Sequence, residues 1–168
     1  MSLLLTGAKT ITVAGTPMEC IEIYTGEAYT LPFAFTDTVG TPINCTGWTL
    51  GMAAKFYTCN TVYESTSTGD VINISNLVLN TPQPTTGAGT YSANLTAAFT
   101  TIASGIGYIY LPVGLGDGSG TPNPTPVPTL TQTTTALAIV TMTVTRTDTV
   151  SGKSDVNREP FGIIIRYQ

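Results

Sequence analysis

Histidine is absent from this chain, and with it go the Ser-His-Asp and Cys-His relays that activate a nucleophile. The same gap takes the imidazole donors from zinc sites, and the three cysteines, Cys20, Cys45 and Cys59, are too few to make one alone. An odd cysteine count in a chain of this length does not describe a disulfide framework. The three read instead as small apolar side chains, buried or half-buried. Charge is also scarce. Only 10% of the residues are Asp, Glu, Lys or Arg, where about 25% is usual. The six basic residues, Lys9, Lys55, Arg146, Lys153, Arg158 and Arg166, are scattered. They form no stripe that could neutralise a phosphate backbone, so a nucleic-acid partner is not expected. No apolar run approaches the roughly 20 residues of a membrane-spanning helix, and no membrane partner is expected either. The opening MSLLLTGAK has no basic residue ahead of its leucines and too short an apolar core for a secretory signal.

What fills the space left by charge is threonine, 34 residues of 168. Threonine is β-branched, suits strands and gives a polar face without charge. A surface so poor in charge is weakly protected against self-association. That composition points to a protein that works inside an assembly. The length suits one domain with a two-layer core.

The organising stretch is 22–57. In 29–36, Tyr29, Leu31, Phe33 and Phe35 alternate with Thr30, Pro32, Ala34 and Thr36. In 48–57, Trp48, Leu50, Met52, Ala54 and Phe56 alternate with Thr49, Gly51, Ala53, Lys55 and Tyr57. A period of two predicts a pair of strands, each burying its large side chains on one face. The segment between them, 37–42, carries Gly40 and Pro42 and reads as a turn. This register places Trp48 in the core.

Other strands are expected at 9–14, 18–25, 71–79, 107–115, 135–147 and 161–167, and Tyr91, Ala93 and Leu95 alternate as an inner strand. In 18–25, Cys20 and Glu22 lie opposite Ile21 and Ile23. Ile72, Ile74 and Val78 are expected to face inward, as are Ile109, Leu111 and Val113, with Tyr108 and Tyr110 outward. In 135–147 the inward row is Ala138, Val140, Met142 and Val144, opposite Thr141, Thr143, Thr145 and Thr147. Residues 60–70 read as a polar loop, and 80–88 as a connection. The segment 96–104 (TAAFTTIAS) is the one helix candidate, about two turns capped by Thr96 with Phe99 and Ile102 tucked beneath the sheets. Residues 1–8 read as a loose arm. From 115 to 130 the chain is Gly/Pro-rich, and Pro122, Pro124, Pro126 and Pro128 alternate in a way that favours an extended polyproline conformation.

Motifs for chemistry are thin. Glu19 with Glu22, and Asp148 with Asp155, are the available carboxylate pairs, and both read as solvated surface acids. Gly114, Gly116, Gly118 and Gly120 alternate, but the spacing and the prolines that follow do not make a phosphate loop. Asn44-Cys45-Thr46, Asn73-Ile74-Ser75 and Asn94-Leu95-Thr96 match the glycosylation pattern, as chance allows in so threonine-rich a chain. No cofactor is expected, and no enzyme.

One longer pattern carries a resemblance. Ile23, Tyr24, Gly26, Tyr29, Leu31, Pro32, Phe33, Phe35, Thr36 and Asp37, then Gly40, Thr41, Pro42, Ile43, Thr46, Gly47, Trp48, Thr49 and Leu50, stand in an order that resembles the immunoglobulin-like N-terminal domain of tailed-bacteriophage baseplate upper proteins. The stretch 89–98 (GTYSANLTAA) is similar to that family's second half, and the resemblance covers roughly 20–113. It implies an all-β, immunoglobulin-like β-sandwich with one short helical turn before the strand at Gly107. It further implies a virion location and a baseplate or tail protein that docks a fibre or receptor-binding protein. In the family a fibre follows the domain, whereas this chain stops at Gln168, which favours an adaptor. A capsid decoration protein is the alternative. A carbohydrate-binding module using Tyr108, Tyr110 and Trp48 is a further one. The expected organisation is an arm at 1–8 and a single sandwich domain at 9–168. The expected partners are other virion proteins and further copies of the chain. The expected contacts are Ser2, Leu3, Leu4 and Leu5 in the arm, and Pro122, Pro124, Pro126 and Pro128 in the loop. An exposed extended segment pairs readily with a free sheet edge, and a pre-extended loop loses less entropy on docking.

Overall fold

A computed structural model describes residues 1–24, 27–66, 69–79, 95–111, 135–147 and 150–166. These residues form ten strands and one 3-10 turn. The strands are β1 (Ser2–Leu5), β2 (Lys9–Val13), β3 (Thr16–Tyr24), β4 (Tyr29–Thr36), β5 (Trp48–Thr66), β6 (Gly69–Leu79), β7 (Thr96–Thr101), β8 (Ile106–Leu111), β9 (Thr135–Thr147) and β10 (Ser154–Arg166). They make two packed sheets, the expected all-β sandwich with one short helical turn. Sheet A has the order β1-β4-β8-β7. Sheet B, in the order β10-β3-β2-β6-β5-β9, curls until it closes. Closure rests on a short parallel contact, Thr12 opposite Asn73 and Val13 opposite Ile74, extended by Ala14 N–H donating to the Ile74 carbonyl at 2.9 Å.

The closure gives the molecule two cores. Between the sheets lie Leu31, Phe33 and Phe35 of β4 and Ile109 and Leu111 of β8. They meet Ile21 and Ile23 of β3, Phe56 of β5, Val140 and Met142 of β9, and Phe161, Ile163 and Ile165 of β10. Inside the curl of sheet B lie Ile11, Val13, Cys20, Cys59, Ile74, Leu137 and Ile164. Strands β9 and β10 form the wall between them. That is why Ala136, Leu137 and Ala138, and the run Phe161-Gly162-Ile163-Ile164-Ile165, are buried at every position instead of every second one. A strand covered on both faces reads as a continuous apolar run, and each large side chain so buried contributes about 2 kcal/mol.

The alternation of β4, of β8 and of the β9 positions from Ala138 to Val144 is as expected, with Ile109 and Leu111 inward and Tyr108 and Tyr110 outward. The inner positions of β5 also follow the expected register, but Trp48 is half-buried at the end of its strand instead of enclosed.

Five other expectations change. The residues read as a loose arm include β1, an edge strand hydrogen-bonded to β4 with Leu3 opposite Phe35 and Leu5 opposite Phe33. The helix expected over 96–104 is strand β7 followed by a single 3-10 turn, Ile102–Ser104. Its β-branched threonines pair with β8, and Phe99 rests edge-on against Phe33, with ring centroids 6.0 Å apart, while Ile102 stays exposed. Of the polar stretch 60–70, residues 60–66 and 69–70 belong to the antiparallel β5–β6 pair, while 67 and 68 lie outside the described residues. Strand β10 begins at Ser154, well before Phe161. Finally, Ile72 and Ile74 face inward but Val78 is 64% exposed. A bulge between Thr58 and Asn60 and the positive φ of Asn76 shift the register, so Leu77 packs inward in its place. The 115–130 segment and Val113 lie outside the described residues.

Candidate interaction surfaces

The 3-10 turn and the loop after β4 lock together. Asp37 Oδ1 accepts from Val39 N at 2.9 Å and from Thr41 N at 2.8 Å, closing the turn that the Gly and Pro residues signalled. Farther along, Cys45 N donates to the Ile102 carbonyl at 2.9 Å, and Phe35 N to the Gly105 carbonyl at 3.0 Å. Gly105 is required there: it sits at φ +61°, and a Cβ would lie 2.7 Å from the Ile43 carbonyl. These bonds to the Asp37 carboxylate, the Thr41 amide first among them, hold its pKa below the ordinary 3.8.

The outer face of sheet A is built in cross-strand rows. Leu4, Ala34 and Ile106 form one, Pro32, Tyr108 and Ala98 the next, and Thr30, Tyr110 and Thr96 the third. None of these residues carries a charge. Leu4 is 53% exposed, Ile106 40%, Tyr110 39% and Tyr108 36%. Hydroxyl-tipped aromatics on an uncharged face are the side chains that protein interfaces favour.

Sheet B shows a second weakly charged face at its lower end, where β5, β9 and β10 run past the barrel. Its rows are Thr49, Thr145 and Val156; Gly51, Thr143 and Arg158; and Ala53, Thr141 and Pro160. Arg158 is the one charge among these nine residues. On the reverse side of the same strands, Trp48, Arg146 and Asp155 stand side by side across three strands. With Met1, Val144 and Asn157 they line an open recess of about 210 Å³.

Chemically demanding groups are kept out of these surfaces. Cys20, Cys45 and Cys59 are all buried. Burial pushes the Cys20 thiol up to about 11, opposed in part by its hydrogen bond with the Gly162 backbone. Cys59 Sγ donates to the Thr135 carbonyl at 3.4 Å. Arg166 pairs with Glu22 across the parallel β3–β10 contact, and burial lowers the guanidinium's pKa. Among the described residues no group of three or more Cys, Asp or Glu could hold a metal ion, and no helix is long and apolar enough to cross a membrane.

Of the expected contact residues, Ser2, Leu3, Leu4 and Leu5 are all in β1. Ser2 and Leu4 face outward, while Leu3 and Leu5 are half-buried against the sandwich core. Pro122, Pro124, Pro126 and Pro128 lie outside the described residues. The combined face of Leu4, Ile106, Tyr108 and Tyr110 is not legible in the sequence. Its tyrosines were legible from alternation, but their adjacency to Leu4 depends on a strand pairing that no local pattern encodes. Compared with models of known protein families and with curated proteins, the chain matches none.

Proposed function

We propose that the protein is a structural component of a tailed-bacteriophage virion, a baseplate or tail adaptor that docks a fibre or receptor-binding protein. The observation that carries the assembly role is the uncharged outer face of sheet A, with Leu4, Ile106, Tyr108 and Tyr110 exposed together. A contiguous apolar face of this kind marks a contact site in a folded protein. The threonine-rich lower face of sheet B offers a second contact of the same neutral character. The tail or baseplate assignment rests on the order of residues over 20–113 described above. In this reading the protein is not an enzyme: it lacks histidine, and its thiols are buried. Its partners are other virion proteins and further copies of itself.

Quantitative mass spectrometry of purified particles tests the assignment. Six to a few dozen copies per particle fit a symmetric tail or baseplate. Hundreds of copies identify a capsid decoration protein instead, and absence from particles overturns the virion reading. A carbohydrate-binding module is favoured by one observation, the outward Tyr108 and Tyr110 on a single strand. Retention of the protein on a glycan array, lost in Tyr108→Ala and Tyr110→Ala, would establish that reading in place of the first.

A further inference from the structure

Closure of sheet B leaves sheet A as the sheet with open edges among the described residues. One of those edges is β1, which is held in an unusual way. It is four residues long, its ladder is to β4 alone, and the next strand in the chain, β2, belongs to the other sheet. Residues 6–8 make the passage. Thr6 N donates to the Pro32 carbonyl at 3.0 Å, and Ala8 N to the Leu5 carbonyl at 3.2 Å. Between them Gly7 stands at φ +83°, with nothing within 4 Å of where a Cβ would lie. The edge strand Ser-Leu-Leu-Leu is short, but it has no lysine, no proline and no bulge, three of the devices by which edge strands are kept from pairing with other chains.

We propose that β1 is an exchange strand: in the assembled state Ser2–Leu5 of one copy pairs with β4 of a second copy, in the register it holds on its own β4. This deepens the reading of the protein as a multicopy assembly component and rests on it. The occupant is a second copy because the socket already fits this segment. Leu3 lies opposite Phe35 and Leu5 opposite Phe33, and both leucines pack on the sandwich core. Every ladder bond broken within one chain is remade between two, so concentration and the hinge set the balance. Extending residues 6–8 gives the strand a reach of about 10 Å, and only the turn at Gly7 and its two hydrogen bonds are given up. Both partners at the contact are uncharged, so identical chains meet without repulsion.

Two single-cysteine variants of the full chain test the exchange, because Leu4 and Ala34 are Cα partners on the outward face. Leu4→Cys and Ala34→Cys, one carrying a mass tag, are mixed at roughly millimolar concentration and oxidised. The native cysteines are buried, and the unsubstituted chain oxidised in parallel supplies the background. The products are separated on a non-reducing gel, where a linked pair runs near twice 17.6 kDa. Exchange gives the mixed Leu4→Cys/Ala34→Cys dimer several-fold in excess of either homodimer. A Leu4→Cys homodimer in excess means that edges abut without exchanging, and monomer alone means that β1 stays at home; either result overturns the proposal. Gly7→Val, which strains the turned hinge but not an extended one, is expected to raise the mixed dimer several-fold. Particles that contain the protein but lack any such cross-chain link would overturn exchange while leaving the virion assignment standing.

Discussion

Gly162 stands on the wall strand β10 and faces the second core, and replacing it by alanine tests the fold's central feature. The residue sits in β10 between Phe161 and Ile163, opposite Cys20 of β3 and Ile139 of β9. A Cβ there would lie 2.4 Å from Cys20 Sγ and 3.4 Å from Leu137 Cδ1. Overpacking a filled core costs about 1–3 kcal/mol, and a 2.4 Å approach belongs at the upper end of that range. Alanine in place of glycine returns roughly 0.5–1 kcal/mol through backbone entropy. The net expectation for Gly162→Ala is a loss of about 2 kcal/mol, or about 4–8 °C in Tm for a chain of this size. Removing the sulfur should rescue it: Cys20→Ala leaves a small gap that the new methyl fills. Cys20 Cβ, at 3.5 Å, is then an ordinary contact. The double variant should be about as stable as Cys20→Ala alone, a coupling of about 2 kcal/mol. Urea unfolding followed by the fluorescence of Trp48, the single tryptophan, measures all four corners of the cycle. A neutral Gly162→Ala, or strict additivity with Cys20→Ala, would refute the account of β10 as a wall between two cores.

Gly107→Ala should be worse, because its Cβ would lie 2.3 Å from the Ala98 carbonyl and 2.5 Å from the Phe33 ring. Backbone cannot rotate aside as a side chain can, and the expected result is misfolded, insoluble protein on expression. The Cys20 thiol, raised from 9.0 to about 11 by burial, holds its proton longer in the folded than in the unfolded chain. Stability should therefore be level below about pH 9 and fall as pH rises towards 11, with a shallower fall in Cys20→Ala by thermal melts across that window. Asp37 has the opposite sign: its lowered pKa stabilises the fold above the unfolded value near 3.8, and that contribution is lost as pH falls from there through the lower folded value. Asp37→Ala should accordingly flatten the acid limb of the stability curve while lowering stability at neutral pH.

Much of the sandwich was legible because its strands are half-buried. In β4 and β8 the alternation names the inward residues without knowledge of their neighbours. The pattern failed where burial is not one-sided. Phe161-Gly162-Ile163-Ile164-Ile165 shows no period of two, because the second core covers the face that should be polar. Val78 failed because a bulge on β5, set by tertiary pairing, shifted the face of β6. The stretch Thr96–Thr101 read as a helix on its alanines and a capping threonine. Pairing with β8 overrode that weak local preference. Of the interaction surface, the tyrosines were legible and their company was not, since Leu4 and Ile106 come from segments 102 residues apart that only sheet order brings together.

The two-core plan also accounts for the composition. A sheet that closes on itself has no edge to protect, and it is sheet B whose strands carry the charges, among them Lys9, Glu19, Glu22, Lys55, Arg146, Asp155, Arg158, Glu159 and Arg166. Sheet A has no such protection. Both its edges among the described residues, β1 and β7, are uncharged, and its outer face presents Leu4, Ile106, Tyr108 and Tyr110. A monomer under selection only for solubility would place lysine or glutamate at those positions, at little cost in stability because they point outward. Neutrality is therefore concentrated where contact between chains is geometrically possible, along one sheet's edges and across its face. Contacts of that kind depend on shape and buried area and weakly on ionic strength. The assembly proposed above should accordingly persist in salt that would dissolve a charge-steered complex, as sedimentation across a salt series would show.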